Sequence, residues 1–108
     1  MVAYLEHVAG EYRPIWDLRA ADHNERQFVG IKTDWGPLLL VLIGGPLARR
    51  VSCQLSVGER VDAGTRIGTA RFGARVDLLV PRDVVAGLPP AGTHLRAGVT
   101  RMGQVVPL

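Results

Sequence analysis

Short apolar or alternating runs of hydrophobic and polar positions, broken by glycine and proline, predict short strands joined by glycine-rich bends. Val2 to Val8 mixes apolar and polar side chains as a strand entering a core does, and Gly10 closes it. From Glu11 to Glu25 the apolar residues Tyr12, Ile15, Trp16 and Leu18 follow neither period. This stretch reads as a long ordered loop with one helical turn, and a loop of that length in a small domain often carries function. Two strands follow, Gln27 to Thr33 and Leu38 to Gly44. Between them Asp34-Trp35-Gly36-Pro37 supplies the turn chemistry of a hairpin. Leu38 to Ile43 is apolar on both faces, which predicts the central strand of a sheet.

After Gly44-Gly45-Pro46, the segment Arg50 to Leu55 alternates strictly and predicts a strand with one wet face and Cys53 on its buried side. In Arg75 to Val80 the same alternation sets Val76, Leu78 and Val80 on one side and Arg75 and Asp77 on the other, with Pro81 ending the strand. A weak internal repeat stands between and after these strands. Gly58, Val61, Gly64, Ile67 and Gly68 are echoed by Gly92, Leu95, Gly98, Met102 and Gly103, with one extra residue before the last aliphatic. Such spacing predicts two tight bends whose glycines allow positive φ or close backbone approach and whose aliphatics plug the core. Paired bends of this kind resemble the hammerhead segments of barrel-sandwich hybrid folds, which include biotinyl and lipoyl domains. The expected fold is therefore all-β, a barrel-sandwich hybrid-like single domain over residues 1–108 with a long N-terminal loop.

Composition narrows this picture. A mass of 11.7 kDa scales to about 5,900 Å² of folded surface against roughly 17,000 Å² unfolded, enough for one core and too little for two. Thirteen Gly and seven Pro disfavour long helices. The net charge is +3, but basic and acidic residues alternate, as in Glu59-Arg60 and Arg82-Asp83, so no nucleic-acid-binding arm is expected. A lone Cys53 excludes an internal disulfide and a cysteine-based zinc site. His7, His23 and His94 match no compact ligand spacing, so no metal is expected. The longest apolar run is too short to span a bilayer, and the expected location is the cytoplasm, with peripheral attachment to the inner membrane face as its variant. A biotinyl or lipoyl carrier role would need a lysine in a characteristic tip; Ile31-Lys32-Thr33-Asp34 around the only lysine does not resemble one.

Three segments carry a more specific resemblance. They are Asn24-Glu25-Arg26, then Ile43-Gly44-Gly45-Pro46-Leu47-Ala48-Arg49-Arg50-Val51, then the run from Arg66-Ile67-Gly68 through Phe72-Gly73-Ala74-Arg75-Val76-Asp77-Leu78. Their order and spacing resemble the C-terminal part of the short bacterial phosphatidylserine decarboxylases, over about Val2 to Pro81. That family's pattern is approximately Asn-Glu-Arg, Ala-Gly-x-x-Ala-Arg-Arg-Ile, and Gly-x-Ile-x-Phe-Gly-Ser-Arg-Val-Asp. The resemblance implies decarboxylation of phosphatidylserine or a related amino acid conjugate. It also implies a pyruvoyl group that the family makes from its own serine: the hydroxyl attacks the preceding glycine carbonyl, the ester eliminates, and the new ketone binds the substrate amine as an electron sink.

At that bond the chain departs from the family. Gly73 and Ala74 occupy the self-cleavage pair, and alanine has no hydroxyl for the acyl shift. No pyruvoyl cofactor is therefore expected at position 74, and the predicted state is unprocessed and inactive, the alanine being either natural to a degenerate relative or a deliberate replacement. The family's upstream histidine-bearing segment would lie just before Val2, so restoring serine is expected to give little self-cleavage. Arg49, Arg50, Asn24 and Arg26 are the candidate substrate-binding residues. For the arginines the competing reading is a solvated or Asp-paired flank, and for Asn24 a loop-ordering cap. Tyr12 and Trp16 are expected to pin their loop to the core. The expected partners are a phospholipid or amino acid conjugate, a second copy, or a full-length family member. The alternative function is a non-catalytic partner or binding module that associates with such an enzyme, an anionic ligand or a membrane surface.

Overall fold

The computed structural model describes residues 1–14, 16–45, 51–70 and 74–106. Eight strands and one helical turn make up its regular structure: β1 (Val2–Val8), α1 (Ala20–His23), β2 (Arg26–Thr33), β3 (Gly36–Ile43), β4 (Val51–Cys53), β5 (Gly68–Ala70), β6 (Arg75–Leu79), β7 (Val85–Ala86) and β8 (Gln104–Val105). The all-β expectation holds.

Four strands form the main antiparallel sheet in the order β1-β2-β3-β6. The β2–β3 hairpin closes through Asp34-Trp35, and Gly36 at φ 136° takes a backbone conformation that side chains other than glycine's resist. The apolar run is, as its pattern requires, an interior strand of the sheet. Val41, Leu42 and Ile43 are consecutive and all buried, so both faces of β3 are covered at this end. With Val2, Ala20, Val29 and Ile31 they form the core.

Each copy of the glycine repeat bridges a two-stranded ribbon, β4–β5 in the first and β7–β8 in the second. Gly58, Gly64, Gly92 and Gly98 all have positive φ. The third glycine of each copy serves close approach instead. A Cβ on Gly68 would lie 2.3 Å from the Ser52 carbonyl oxygen, and one on Gly103 would lie 2.8 Å from Val85 Cγ1. The first bend docks on β1, where the Val2 N–H donates to the Glu59 carbonyl at 2.8 Å and the Gly58 N–H donates to the Val2 carbonyl at 2.7 Å. The aliphatic plugs divide: Val61 and Ile67 are half-buried, whereas Leu95 and Met102 are exposed, which corrects the expectation for the second copy.

Three more expectations are corrected. The strand predicted over Arg50 to Leu55 is only three residues long, and Cys53 is half-buried rather than a core residue. In β6 the apolar side is the wet one: Val76 and Leu78 are exposed while Arg75 and Asp77 are half-buried, because β6 is an edge strand and no described residue packs over Val76. Trp16 is 82% exposed and does not pin its loop. The three sheets do not close on one another, and the accessible surface of 7891 Å² exceeds the compact expectation of about 5,900 Å² by roughly a third.

Candidate functional site

The strand polarity of the main sheet brings the sequence motifs to one end. β2 begins at Arg26, β3 ends at Ile43 and β6 begins at Arg75. The pairs Arg26↔Ile43 and Ile43↔Arg75 set these three residues in one row on one face. One position further, the Gly44 N–H donates to the Glu25 carbonyl at 2.9 Å. Ala74, half-buried, precedes Arg75 and so stands at the register position facing Gly44. Thus Asn24-Glu25-Arg26, Gly44 and Ala74 lie at the same end of the sheet. Arg49, Arg50 and Gly73 lie outside the described residues.

Asn24 is completely buried, and its side chain is fully engaged with backbone. Its Nδ2 donates to the Arg13 carbonyl at 2.8 Å and to the Gly44 carbonyl at 2.7 Å, while Oδ1 accepts from the Arg13 N–H at 2.8 Å. These bonds tie the long loop to the end of β3, so the loop-ordering role is the one the hydrogen bonds display. The expected helical turn is α1, preceding Asn24, and backbone bonds from the Glu11 N–H to the His23 carbonyl and from the Glu25 N–H to the Glu11 carbonyl stitch the loop to its own start. Arg26 donates from Nη1 to the Asn24 carbonyl at 3.0 Å and lies over the Phe28 ring at 5.8 Å, a cation–π contact that holds the guanidinium half-buried at the sheet end.

Arg75 and Asp77 form a two-pronged pair, Nε to Oδ1 at 2.7 Å and Nη2 to Oδ2 at 3.0 Å. The hydrogen bonds that Arg75 donates to the Asp77 carboxylate raise its pKa above the ordinary value, against a smaller opposing effect of burial. Arg75 is thereby charge-compensated, leaving Arg26 as the cation in this row without an acidic partner among the described residues.

On the opposite face of the same end lies a polar cluster that sequence reasoning did not assemble. His7 pairs with Gln27 across β1–β2, with Nδ1 3.2 Å from Gln27 Oε1. Its Nε2 is 3.9 Å from Glu25 Oε1, to which the Tyr12 hydroxyl donates at 3.2 Å. The signal was present in the β1–β2 register, which places His7 beside Gln27 once the two strands are paired. Among the described residues no three His, Cys, Asp or Glu side chains gather as metal ligands, and no helix is long and apolar enough to cross a membrane.

An open antiparallel β scaffold brings Asn24, Gly44 and the half-buried Ala74 to one end of its main sheet. Comparison with known proteins makes this specific: the phosphatidylserine decarboxylase family model matches residues 1–103, and the chain belongs to that family. The phosphatidylserine decarboxylase proenzyme of Chlorobium luteolum is 34% identical over 105 residues, covering 97% of this chain and 47% of the relative. That of Salinibacter ruber is 36% identical over 106 residues, 97% of this chain and 46% of the relative. The Streptomyces griseus proenzyme is 36% identical over 103 residues, 95% and 47% respectively. The chain therefore spans about half the length of the curated relatives it matches. No solved structure matches it.

Proposed function

We propose that this chain is a phosphatidylserine decarboxylase-like domain that stays unprocessed and does not catalyse decarboxylation itself. The observation that carries the reading is Ala74, where the family motif has the serine that becomes the pyruvoyl group. The residues present do not fit that group: a methyl stands where the acyl shift needs a hydroxyl. The related proenzymes support a phospholipid, or an amino acid conjugate like its head group, as the ligand class. Arg26, with Arg49 and Arg50, is the proposed anion-recognising set. Asn24 positions the loop beside it. The twin bend-and-ribbon units favour a barrel-sandwich scaffold in a single domain, and the proposed location is cytoplasmic, peripheral on the inner membrane face.

A second reading, the non-catalytic partner of a full-length family member or of another copy, is favoured by one feature. Val76, Leu78 and Leu79 on the edge strand are 54%, 40% and 51% exposed, an apolar edge suited to pairing. Release of CO₂ from carboxyl-labelled phosphatidylserine in mixed micelles tests the first reading. The purified chain is expected to match a protein-free blank, and release that hydrazine abolishes would contradict it.

A further inference from the structure

Four side chains at the motif-bearing end of the sheet form a hydrogen-bond chain that the candidate site does not use, and its direction is set by a backbone carbonyl. Gln27 is buried, and its Nε2 donates to the Phe28 carbonyl at 3.1 Å, an acceptor that admits only the NH₂ side of the amide. Gln27 Oε1 is thereby turned toward His7 Nδ1 at 3.2 Å, so the proton of that bond belongs to Nδ1. A neutral His7 then carries its lone pair on Nε2, and Nε2 faces Glu25 Oε1 at 3.9 Å. Two acceptors confront each other there. The other neutral tautomer only moves the conflict to Nδ1 and Gln27 Oε1. The imidazolium alone donates at both nitrogens and attracts the Glu25 carboxylate. Glu25 Oε1 also accepts from the Tyr12 hydroxyl at 3.2 Å and keeps a second lone pair for His7.

Among the described residues His7 makes no ion pair but this one. Strand alternation sets Glu6 and Arg26 on the opposite face of the sheet. Glu11 and Arg13, which flank Tyr12, pair with each other, and Asp22 and His23 on α1 are exposed. The β4–β5 ribbon reaches this face where a Cβ on Gly68 would lie 2.9 Å from Leu42 Cδ1, and Cys53 is the one titratable group in its strands. No third His, Cys, Asp or Glu joins His7 and Glu25 among the described residues, so a proton rather than a metal ion is the cation this gap fits.

We propose that His7 is a proton-operated clasp: protonated, its Nε2 closes on Glu25 and fastens the end of the long loop to β1, and deprotonated, it lets go. The clasp acts on the segment that carries Asn24, and it depends neither on the state of the Gly73–Ala74 bond nor on the ligand class. Proton uptake favours closure, so the tightening is present at the acid end of the histidine range, about pH 5, and is lost as pH rises toward about 8. The His7 side chain is 47% exposed, so the effect is that of a solvent-accessible pair, roughly two- to fivefold in the opening equilibrium of the loop.

The test is NMR on the full chain at about pH 5.5 and about pH 8, either side of the usual histidine range. Imidazole nitrogen spectra should show His7 as the Nδ1–H tautomer at the higher pH and as the imidazolium at the lower. The Glu25 amide, bonded to the Glu11 carbonyl at 3.0 Å, reads the loop. Its hydrogen exchange, corrected for the intrinsic pH dependence of exchange, should be roughly two- to fivefold slower at the lower pH. His7→Gln and Glu25→Gln should each remove that slowing, His23→Gln should keep it, and high salt should diminish it. If a variant does not fold, the wild-type spectra and the salt dependence decide. An Nε2–H tautomer at the higher pH, equal corrected exchange at the two pH values, or slowing that survives His7→Gln would each overturn the proposal.

Discussion

Removing the Asn24 side chain should loosen the whole motif-bearing end of the sheet. In Asn24→Ala, three backbone groups lose their partner: the Arg13 N–H, the Arg13 carbonyl and the Gly44 carbonyl. The Gly44 bond is buried, so its loss exposes an unsatisfied acceptor at about 1–3 kcal/mol, while the two Arg13 groups, reachable by water, cost about 0.5–1.5 kcal/mol each. The expected loss is about 3 kcal/mol. That is a large share of the roughly 5–15 kcal/mol that stabilises a domain of this size, and it corresponds to a fall in Tm of about 12 °C or more. Asn24→Asp separates hydrogen bonding from shape, because it conserves volume yet turns a carboxylate oxygen toward the two carbonyl oxygens that Nδ2 now serves. Urea unfolding of both variants measures the effect. The midpoint should fall at unchanged slope, with Asn24→Asp at least as destabilised as Asn24→Ala. A loss below 1 kcal/mol for Asn24→Ala, or an Asn24→Asp variant near wild type, would refute the loop-ordering argument.

Several features of the fold were legible in the residues and others were not. The β2–β3 hairpin and the interior position of β3 follow from Asp34-Trp35-Gly36-Pro37 and from an apolar run with no wet side. The positive φ at Gly58, Gly64, Gly92 and Gly98 follows from repeated spacing. What alternation cannot say is which side of a strand finds a neighbour. Val76 and Leu78 share a face with Leu42 and Leu40, as their pattern requires, yet they are exposed because β6 stands at the edge of an open sheet. Trp16 is exposed for the same reason, since an aromatic on a loop is buried only if something packs over it. The cluster of His7, Tyr12, Glu25 and Gln27 needed the β1–β2 pairing and the course of the loop, which no local pattern encodes.

Other expectations follow from the same geometry. The Arg19 backbone N–H, then its guanidinium, holds the Asp17 carboxylate below its ordinary range, so Asp17 stabilises the loop above about pH 4 and that contribution is lost as pH falls through its lowered value; acid titration followed by Trp16 fluorescence in a Trp35→Phe background should show this loosening, and Asp17→Asn should abolish its pH dependence below 4. Gly68→Ala pushes a Cβ to within 2.3 Å of the Ser52 carbonyl and should separate β4 from β5, whereas Gly58→Ala, with open space but positive φ, should cost only about 1 kcal/mol; thermal unfolding of the pair should rank them in that order. Val76→Glu should change stability by no more than about 0.5 kcal/mol while raising the solubility limit, and a severe destabilisation by urea unfolding would mean that the β6 face is covered.

The central claim concerns one peptide bond, and the intact mass of the purified chain under denaturing conditions tests it most directly. A single species near 11.7 kDa is the expected result, with Gly73 and Ala74 still joined. Two chains divided between those residues would contradict the account.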